Sequence, residues 1–177
     1  PAAHPNLTIQ IIENVQDLLE TMQSLVKIHD VLIHSMAVSD YTPIYMAGFD
    51  QITASQDLTE FLNKTNDQGK ISSKDEYQVL FLKQTPKIIS QVKKWNPDIR
   101  LIGFKLLVDV SKEELLSVAR ASFIKNKAEI IVANDLYDIS NNQHHAYLVK
   151  ENSVIEASTK EEIAQQLVTH IHAKDNL

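Results

Sequence analysis

The sequence predicts a three-layer α/β fold, in which helices cover both faces of a mostly parallel sheet. Strand-like apolar runs alternate with amphipathic stretches of about 10 to 15 residues, the pattern of repeated strand–helix–strand units. One amphipathic stretch begins with a capping box, Ser111 followed by Glu114, and continues to Lys125. Two strand candidates, residues 146–150 and 153–157, lie close enough in sequence to pair. We therefore expect a Rossmann-like sheet with a C-terminal hairpin.

The other elements follow in chain order. Residues 7–12 alternate like a strand, and apolar residues recur at helical spacing over residues 15–26. A further helix is expected to begin at Thr85 and Pro86, because proline favours the first turn of a helix. A last capped helix is expected to begin near Ser158. The remaining strands are predicted at residues 31–33, 77–82, 100–108 and 129–133.

Length and composition favour one globular domain over residues 1–177. The 23 acidic and 17 basic residues give a formal charge of -6, which argues against a nucleic-acid partner. The chain has no cysteine, so disulfides, thiolate metal sites and cysteine nucleophiles are excluded. No apolar run approaches the length of a membrane span, and we expect a cytoplasmic protein without a membrane partner.

Two stretches interrupt the alternation and are the first candidates for ligand contacts. Residues 35–50 follow a predicted strand, and residues 63–76 are polar and predict a mobile loop. In the first stretch, the backbone amides of residues 35–37 and the carboxylate of Asp40 could face a ligand. An ordinary turn capped by Asp40 is the alternative. In the second, Lys70 could swing onto a phosphate or carboxylate; otherwise it is a solvated loop lysine.

Three further side chains each have two interpretations. Phe104 is a core aromatic or a platform on which a base stacks. Lys125 and Lys127 provide the positive charge that an acidic protein would need for a triphosphate, or they are a solvated helix end. With only three glycines, the chain cannot form a Walker loop or a dinucleotide fingerprint. Other groups would therefore hold any phosphate.

The histidines suggest two more sites. His34, Ser35 and Asp40 are the residue types of a hydrolase triad, but no nucleophile elbow surrounds the serine. A hydrogen-bonded histidine at a strand end is the preferred interpretation of His34. Two histidine pairs could suggest a metal, but adjacent and two-apart residues of a helix point to different faces, so no metal site is predicted. The pairs are His144 with His145 and His170 with His172.

Five segments, in this order, resemble phosphopantothenate-cysteine ligase: HSMAVSDY, GKISS, TPKII, LIGFKL and IVANDL. The family pattern has Ala-Val-x-Asp after a strand, a Lys-Ile loop, a Pro-x-Ile helix start, Gly-Phe on a strand, and Ala-Asn-Asp. Each motif alone is weak, and the specificity comes from the set. The five segments are most similar to those of the monofunctional bacterial form, which is not fused to a flavin decarboxylase. No flavin is therefore expected.

The resemblance implies an enzyme that joins cysteine to 4'-phosphopantothenate on the route to coenzyme A. The phosphopantothenate carboxylate would attack the α-phosphate of a nucleotide, and the cysteine amine would then attack the acyl carbon. CTP with Mg2+ is the expected co-substrate, ATP being possible, so the intermediate would be an acyl-cytidylate. The family also implies a homodimer. A non-catalytic nucleotide-binding or regulatory domain is the alternative function, because fold alone fixes no chemistry.

The resemblance also implies roles for individual residues. Lys70 matches the loop lysine that the family needs for turnover, and it is the catalytic candidate. Asn134 and Asp135, from IVANDL, are the substrate-binding candidates. Residues 86–89 match a helix start whose free amides favour phosphate. The nucleotide-binding candidates are Ser35, Met36, Ala37, Asp40, Pro86, Lys87, Ile88, Ile89, Phe104, Lys125 and Lys127.

The chain departs from the family pattern in two places. Ser72, Ser73 and Asn126 stand where the family often has lysines, which weakens the triphosphate role of Lys125 and Lys127. The family begins with a strand, a Gly-rich turn and an Asn-x-Ser/Thr-x-Gly segment that this sequence does not contain. We therefore expect an N-terminally incomplete ligase domain that starts about fifty residues late.

Overall fold

A computed structural model describes residues 4–65, 75–140 and 143–175. The chain forms two compact units. The sheet unit comprises Pro1–Ala37 and Ile88–Leu177, and the ribbon unit comprises Val38–Lys87. In sequence, the ribbon unit is thus inserted between the two parts of the sheet unit. The expectation of a single domain over residues 1–177 stays a prediction.

Strands and helices alternate through most of the described residues. The strands are β1 (Val31–His34), β2 (Tyr41–Gly48), β3 (Gln78–Gln84), β4 (Arg100–Leu107), β5 (Ile130–Asp135), β6 (Ala146–Val149) and β7 (Val154–Ala157). The α-helices are α1 (Val15–Leu25), α2 (Phe49–Ala54), α3 (Ile89–Trp95), α4 (Lys112–Asn126) and α5 (Lys160–Asp175). The predicted N-cap of α4 at Ser111 is confirmed, because the Glu114 N–H donates to Ser111 Oγ at 3.2 Å. The reciprocal bond of a capping box, from the Ser111 N–H to the Glu114 carboxylate, is not formed.

The sheet unit contains a five-stranded sheet with the order β1-β4-β5-β6-β7. β1, β4 and β5 pair in parallel, whereas β6 runs antiparallel to both of its neighbours. Because β7 is antiparallel to β6, it runs in the same direction as β5. Four of the five strands therefore share one direction. The mostly parallel sheet and the C-terminal hairpin that the sequence predicts are confirmed.

Helices cover both faces of this sheet. Successive residues of a strand point to opposite sides, so the neighbours of two adjacent β4 residues show what covers each face. Ile102 of β4 belongs to a buried cluster to which α5 contributes Ile163 and Leu167. Gly103, the next residue along β4, faces α3, because a Cβ there would lie 2.9 Å from Cδ1 of Ile89. The sheet thus lies between helices on its two sides, and the predicted three layers are confirmed.

A network of charged side chains joins the amino-terminal ends of β4 and β5 to α5. Arg100 Nε and Nη2 donate to the Glu129 carboxylate at 3.0 and 3.3 Å, and His170 Nε2 lies 2.8 Å from Glu129 Oε1. Arg100 also donates to the backbone carbonyls of His170 and Ile171. The three side chains are between 14% and 19% exposed. These hydrogen bonds join α5 to the sheet.

The ribbon unit is built on the antiparallel pair β2 and β3. One side of this ribbon carries Tyr45 and Phe81, whose ring centroids lie 5.9 and 5.4 Å from that of Phe61. Phe61 is only 1% exposed. Two-stranded ribbons are marginal by themselves, so the apolar area that this aromatic cluster buries stabilises the unit.

Three elements differ from the sequence predictions. Residues 7–12 form no strand, and their large apolar side chains at alternate positions are 50–79% exposed, so alternation alone was misleading. β2 occupies part of residues 35–50, where an irregular stretch was expected. Its pattern is obscured by Pro43, which lies at a register shift in the ribbon. α3 begins at Ile89, three residues after Pro86.

Gly103→Ala should lower the free energy of unfolding by about 1–3 kcal/mol, because the added methyl overpacks the space between β4 and α3. The new Cβ would lie 2.9 Å from Cδ1 of both Ile89 and Ile131. Urea unfolding measures the change. Ile89→Val removes one of the two methyl groups, so adding it to Gly103→Ala should recover part of the loss. Wild-type stability of the single variant would contradict this close packing.

Candidate functional site

The carboxyl ends of β1, β4 and β5 lie at one edge of the sheet unit, because these strands pair in parallel. We call it the carboxyl edge. Ligands of open α/β sheets bind at this edge. β1 ends at His34, β4 at Leu107 and β5 at Asp135. Five predicted site residues belong to this edge, where they follow β1 or close β5: Ser35, Met36, Ala37, Asn134 and Asp135.

Asn134 has a buried side chain whose amide makes no hydrogen bond. The residue is 6% exposed, and no described group donates to or accepts from its carboxamide. Its register partner on β4 is Leu106, and Phe104 lies two residues earlier on the same face. The atoms that are fully buried without a partner in the described part of the chain are His34 Nε2 and His144 Nδ1, so the polar atoms of the Asn134 carboxamide still reach solvent. They are therefore available to a ligand that offers both a donor and an acceptor.

Phe104 is half-buried and packs against the cluster that contains Ile102 and Leu167. This contact supports the interpretation of Phe104 as a core aromatic. Stacking of a base on the ring stays a prediction. Since Phe104 and Asn134 share a face of the sheet, a ligand beside the Asn134 carboxamide would also lie close to the β4 side chains of that face.

The Asp135 side chain is directed to the backbone, on the face opposite to Asn134. The N–H groups of Asp109 and Tyr137 donate to Oδ1 at 3.1 and 2.8 Å, and the Val110 N–H donates to Oδ2 at 2.8 Å. These bonds, that of Val110 first, hold the pKa of Asp135 below its usual value, because they favour the ionised carboxylate. Of the two substrate-binding candidates, Asn134 is the one with an unbonded polar group.

His34 is buried at the end of β1, where it is 7% exposed. Its Nε2 has no hydrogen-bond partner in the described part of the chain. Burial lowers the pKa of His34, against a smaller opposing effect of a backbone hydrogen bond, so the ring is neutral at pH 7. The prediction of a fully hydrogen-bonded histidine is wrong for Nε2. The structure gives no support to a triad, since Nε2 does not bond to the Ser35 hydroxyl.

The ribbon unit brings Asp40 and Lys87 together. Lys87 Nζ lies 3.8 Å from Asp40 Oδ1, and both side chains are more than half exposed. Thr85 fixes the two segments, because its N–H donates to the Asp40 carbonyl at 2.9 Å and its hydroxyl donates to the Ser39 carbonyl. Pro86 follows Thr85 directly. The Asp40 carboxylate therefore pairs with a lysine, and the hydroxyl of Ser39 makes the local turn contact with Tyr41.

The start of α3 places Ile88 and Ile89 in the core of the sheet unit. Ile88 is 2% exposed, and Cδ1 of Ile89 packs beside Gly103. No side chain caps this helix. Phosphate could therefore meet only the backbone of these two residues, and their nucleotide-binding role stays a prediction.

Lys125 and Lys127 lie at the other edge of the sheet, since they precede β5 whereas Asn134 closes it. A strand of six residues spans about 17 Å at 3.3 Å per residue. Lys127 ends α4 in the left-handed conformation, with φ of 49°, and the buried Asn126 bonds to Ser90 and Ser122. The structure does not bring these lysines to the carboxyl edge, so their triphosphate role has no structural support. The catalytic candidate Lys70 lies outside the described residues.

The turn after β4 was not predicted as part of the site. Asp109 has φ of 55°, a left-handed conformation that is uncommon for residues other than glycine. Sequence offered only a weak signal for it, namely that aspartate tolerates this conformation better than most residues. The three backbone bonds of Asp135 have no sequence signature, because the donors are main-chain groups.

Neither a metal cluster nor a membrane span is present in the described ranges. No group of three or more histidine or acidic side chains there could hold a metal ion. His145 Nε2 instead lies 3.6 Å from Glu156 Oε2, and His170 belongs to the network with Glu129. None of the described helices is both long and apolar enough to cross a membrane.

Known proteins share this sequence pattern. Residues 49–174 match the family described as the DNA/pantothenate metabolism flavoprotein C-terminal domain. A relative from Thermococcus kodakarensis, the coenzyme A biosynthesis bifunctional protein CoaBC, is 31% identical over 160 residues, which cover 88% of this chain and 34% of the relative. The chain thus spans about a third of the length of the curated relatives that it matches.

Solved structures share the fold. The DNA/pantothenate metabolism flavoprotein from Streptococcus pneumoniae is 59% identical with a TM-score of 0.92, over 98% of this chain and 76% of that one. A Cab2 mutant in complex with phosphopantothenate-cysteine has a TM-score of 0.61 at 14% identity, over 92% of this chain and 50% of that one, a likeness of fold alone. The chain belongs to the family of DNA/pantothenate metabolism flavoprotein C-terminal domains.

Proposed function

We propose that this protein is a phosphopantothenate-cysteine ligase of coenzyme A biosynthesis. The family match over residues 49–174 is the observation that carries the proposal. Two findings support it. The CoaBC relative is named for coenzyme A biosynthesis, and a protein of the same fold was solved with phosphopantothenate-cysteine. In the chain itself, the unbonded carboxamide of Asn134 at the carboxyl edge supports a ligand site there.

The proposed reaction has two steps. A carboxylate oxygen of 4'-phosphopantothenate attacks the α-phosphorus of CTP, and pyrophosphate leaves with the electron pair of the broken P–O bond. The amine of cysteine then attacks the acyl carbon of the acyl-cytidylate, loses a proton and expels CMP. ATP is the second possible nucleotide. Mg2+ enters with the triphosphate as part of the co-substrate and neutralises charge on its oxygens.

In this proposal, residues of the sheet unit contact the nucleotide and the substrate. The backbone of residues 35–37 contacts the nucleotide where β1 ends, and Phe104 lines the same pocket. The Asn134 carboxamide donates to and accepts from the ligand, since the residue lies at the carboxyl edge and no hydrogen bond to a described residue occupies its amide. The neutral ring of His34, directly before residue 35, adds no charge to this edge.

In the ribbon unit, Asp40 is proposed to bind the nucleotide or its ribose, and Lys87 is proposed to bind a phosphate. Their mutual ion pair of 3.8 Å is exposed, so it is weak and can exchange for ligand contacts. Lys70 is the proposed catalytic residue, which neutralises charge that develops on the acyl-phosphate in the transition state. A lysine suits this role because its ammonium is a compact charge on a flexible stem.

The proposed protein is cytoplasmic, contains no flavin and forms a homodimer. A line of apolar side chains on the face of the ribbon opposite to Phe81 supports the homodimer. Leu80 and Leu82 are 49% and 52% exposed, and Leu82 pairs with the exposed Pro43. Exposed apolar positions that are contiguous are typical of protein interfaces. In the C-terminal hairpin, by contrast, β6 is wholly buried.

The ligase proposal predicts that the purified protein forms phosphopantothenoylcysteine from phosphopantothenate, cysteine and Mg2+ with CTP or ATP. Lys70→Gln should lower the rate about 100-fold or more while nucleotide binding is kept, because the lost charge acts on the transition state. Mass spectrometry of the product and calorimetry of nucleotide binding are the two measurements.

Lys83→Gln is the matched control, because Lys83 is an exposed lysine of the same unit with no proposed role. It should keep full activity. Turnover by Lys70→Gln at the wild-type rate would remove the catalytic role of Lys70. A protein that binds the nucleotide but forms no product with either one would be the non-catalytic binding domain instead.

Asn134→Ala should weaken ligand binding with little loss of stability, since the carboxamide has no partner in the protein to lose. We expect KM for CTP or phosphopantothenate to rise about tenfold, the equivalent of 1.4 kcal/mol. Asn126→Ala is the contrasting variant. Its carboxamide bonds to Ser90 and Ser122, so it should lose about 1–3 kcal/mol of stability and keep its KM values. The reverse pattern would contradict the assignment.

A further inference from the structure

The turn between β4 and α4 is held in an unusual conformation at the carboxyl edge. β4 ends at Leu107, and α4 is capped by Ser111. Between them, Asp109 adopts the left-handed conformation with φ of 55°. This conformation is uncommon outside glycine, and although aspartate tolerates it better than most residues, local contacts can stabilise it further.

Asp135 provides those contacts. Its carboxylate, on a residue only 4% exposed, accepts from the N–H groups of Asp109 and Val110 in the turn and from the N–H group of Tyr137 beyond β5. The last register pair of β4 and β5 is Leu107 with Asp135. The side-chain bonds therefore continue the connection between the two strands past the end of their backbone ladder.

The residue type matters at this position. Both carboxylate oxygens accept, so Asp135 can satisfy three backbone donors at once. An asparagine of the same shape would present an NH2 group to one of the N–H groups, and that backbone donor would lose its partner. The effect on the ionisation of Asp135 agrees with this geometry, because backbone donors lower its pKa.

We propose that Asp135 is a positioning residue, which orients the Asn134 carboxamide by fixing the turn after β4 and the end of β5, and which does not itself contact substrate. Asn134 is the adjacent residue and points to the opposite face, so fixing the backbone at Asp135 also fixes the direction of the carboxamide. The expected effect on ligand binding rests on the proposed function, whereas the expected effect on the turn rests on the hydrogen bonds of Asp135 alone.

Asp135→Asn in the full chain tests the assignment, with Asp138→Asn as control, because Asp138 is an exposed carboxylate three residues further on. We expect Asp135→Asn to lower Tm by about 4 °C or more. We also expect KM for CTP or phosphopantothenate to rise at least fivefold, with kcat changed less than twofold. Asp138→Asn should match the wild type in all three measurements.

Asp109→Gly is the second variant of this test, because glycine adopts the left-handed conformation without strain. Combined with Asp135→Asn, it should recover part of both Tm and KM, since the turn then needs fewer bonds to keep its shape. Three results would overturn the inference: wild-type Tm and KM in Asp135→Asn; a lower Tm with unchanged KM; or a higher KM that Asp109→Gly does not recover, which would mean direct substrate contact. If the wild type forms no ligation product, the proposed function fails. The Tm values of the wild type, the two single variants and the double variant still test the bonds of the turn.

Discussion

The parallel pairing of β4 with β1 on one side and β5 on the other determines the layers of the sheet unit and the position of its candidate site. Parallel strands require crossover connections and have both faces covered, which gives α3 and α4 one face and α5 the other. Gly103, at the centre of β4, allows Ile89 of α3 to pack directly on the sheet. The same pairing brings the carboxyl ends of three strands to one edge, where Asn134 and Asp135 lie.

The two edges of the sheet differ in how their polar groups are satisfied. At the amino edge, Arg100, Glu129 and His170 bond to one another and to the backbone of α5, so this edge contributes stability. At the carboxyl edge, His34 Nε2 is buried without a partner in the described part of the chain, and the Asn134 carboxamide makes no hydrogen bond to a described residue. The buried nitrogen costs free energy, and the carboxamide is available to a ligand. Stability and binding are thus separated in space.

Sequence reasoning succeeded where a local rule was sufficient. The Ser111 cap predicted α4, and two strand candidates close together in sequence predicted the β6–β7 hairpin, because these signals lie within a few residues. It failed for residues 7–12, where a strand needs a neighbour that no local pattern reveals, and for β2, where Pro43 disturbs the pattern. In the candidate site, the IVANDL motif made Asn134 and Asp135 substrate-binding candidates, and that role stays a prediction. The backbone hydrogen bonds of Asp135 could not be predicted, because two of its three donors belong to a turn that is distant in sequence.

Pyrophosphate release in the absence of cysteine tests whether the protein forms an acyl-nucleotide. The protein is mixed with Mg2+, CTP and phosphopantothenate, with ATP in a parallel reaction. We expect a burst of about one pyrophosphate per active site that requires phosphopantothenate, because the proposed acyl-cytidylate would accumulate until cysteine is added. If protein that still binds the nucleotide shows no phosphopantothenate-dependent release with CTP or with ATP, it does not form an acyl-nucleotide.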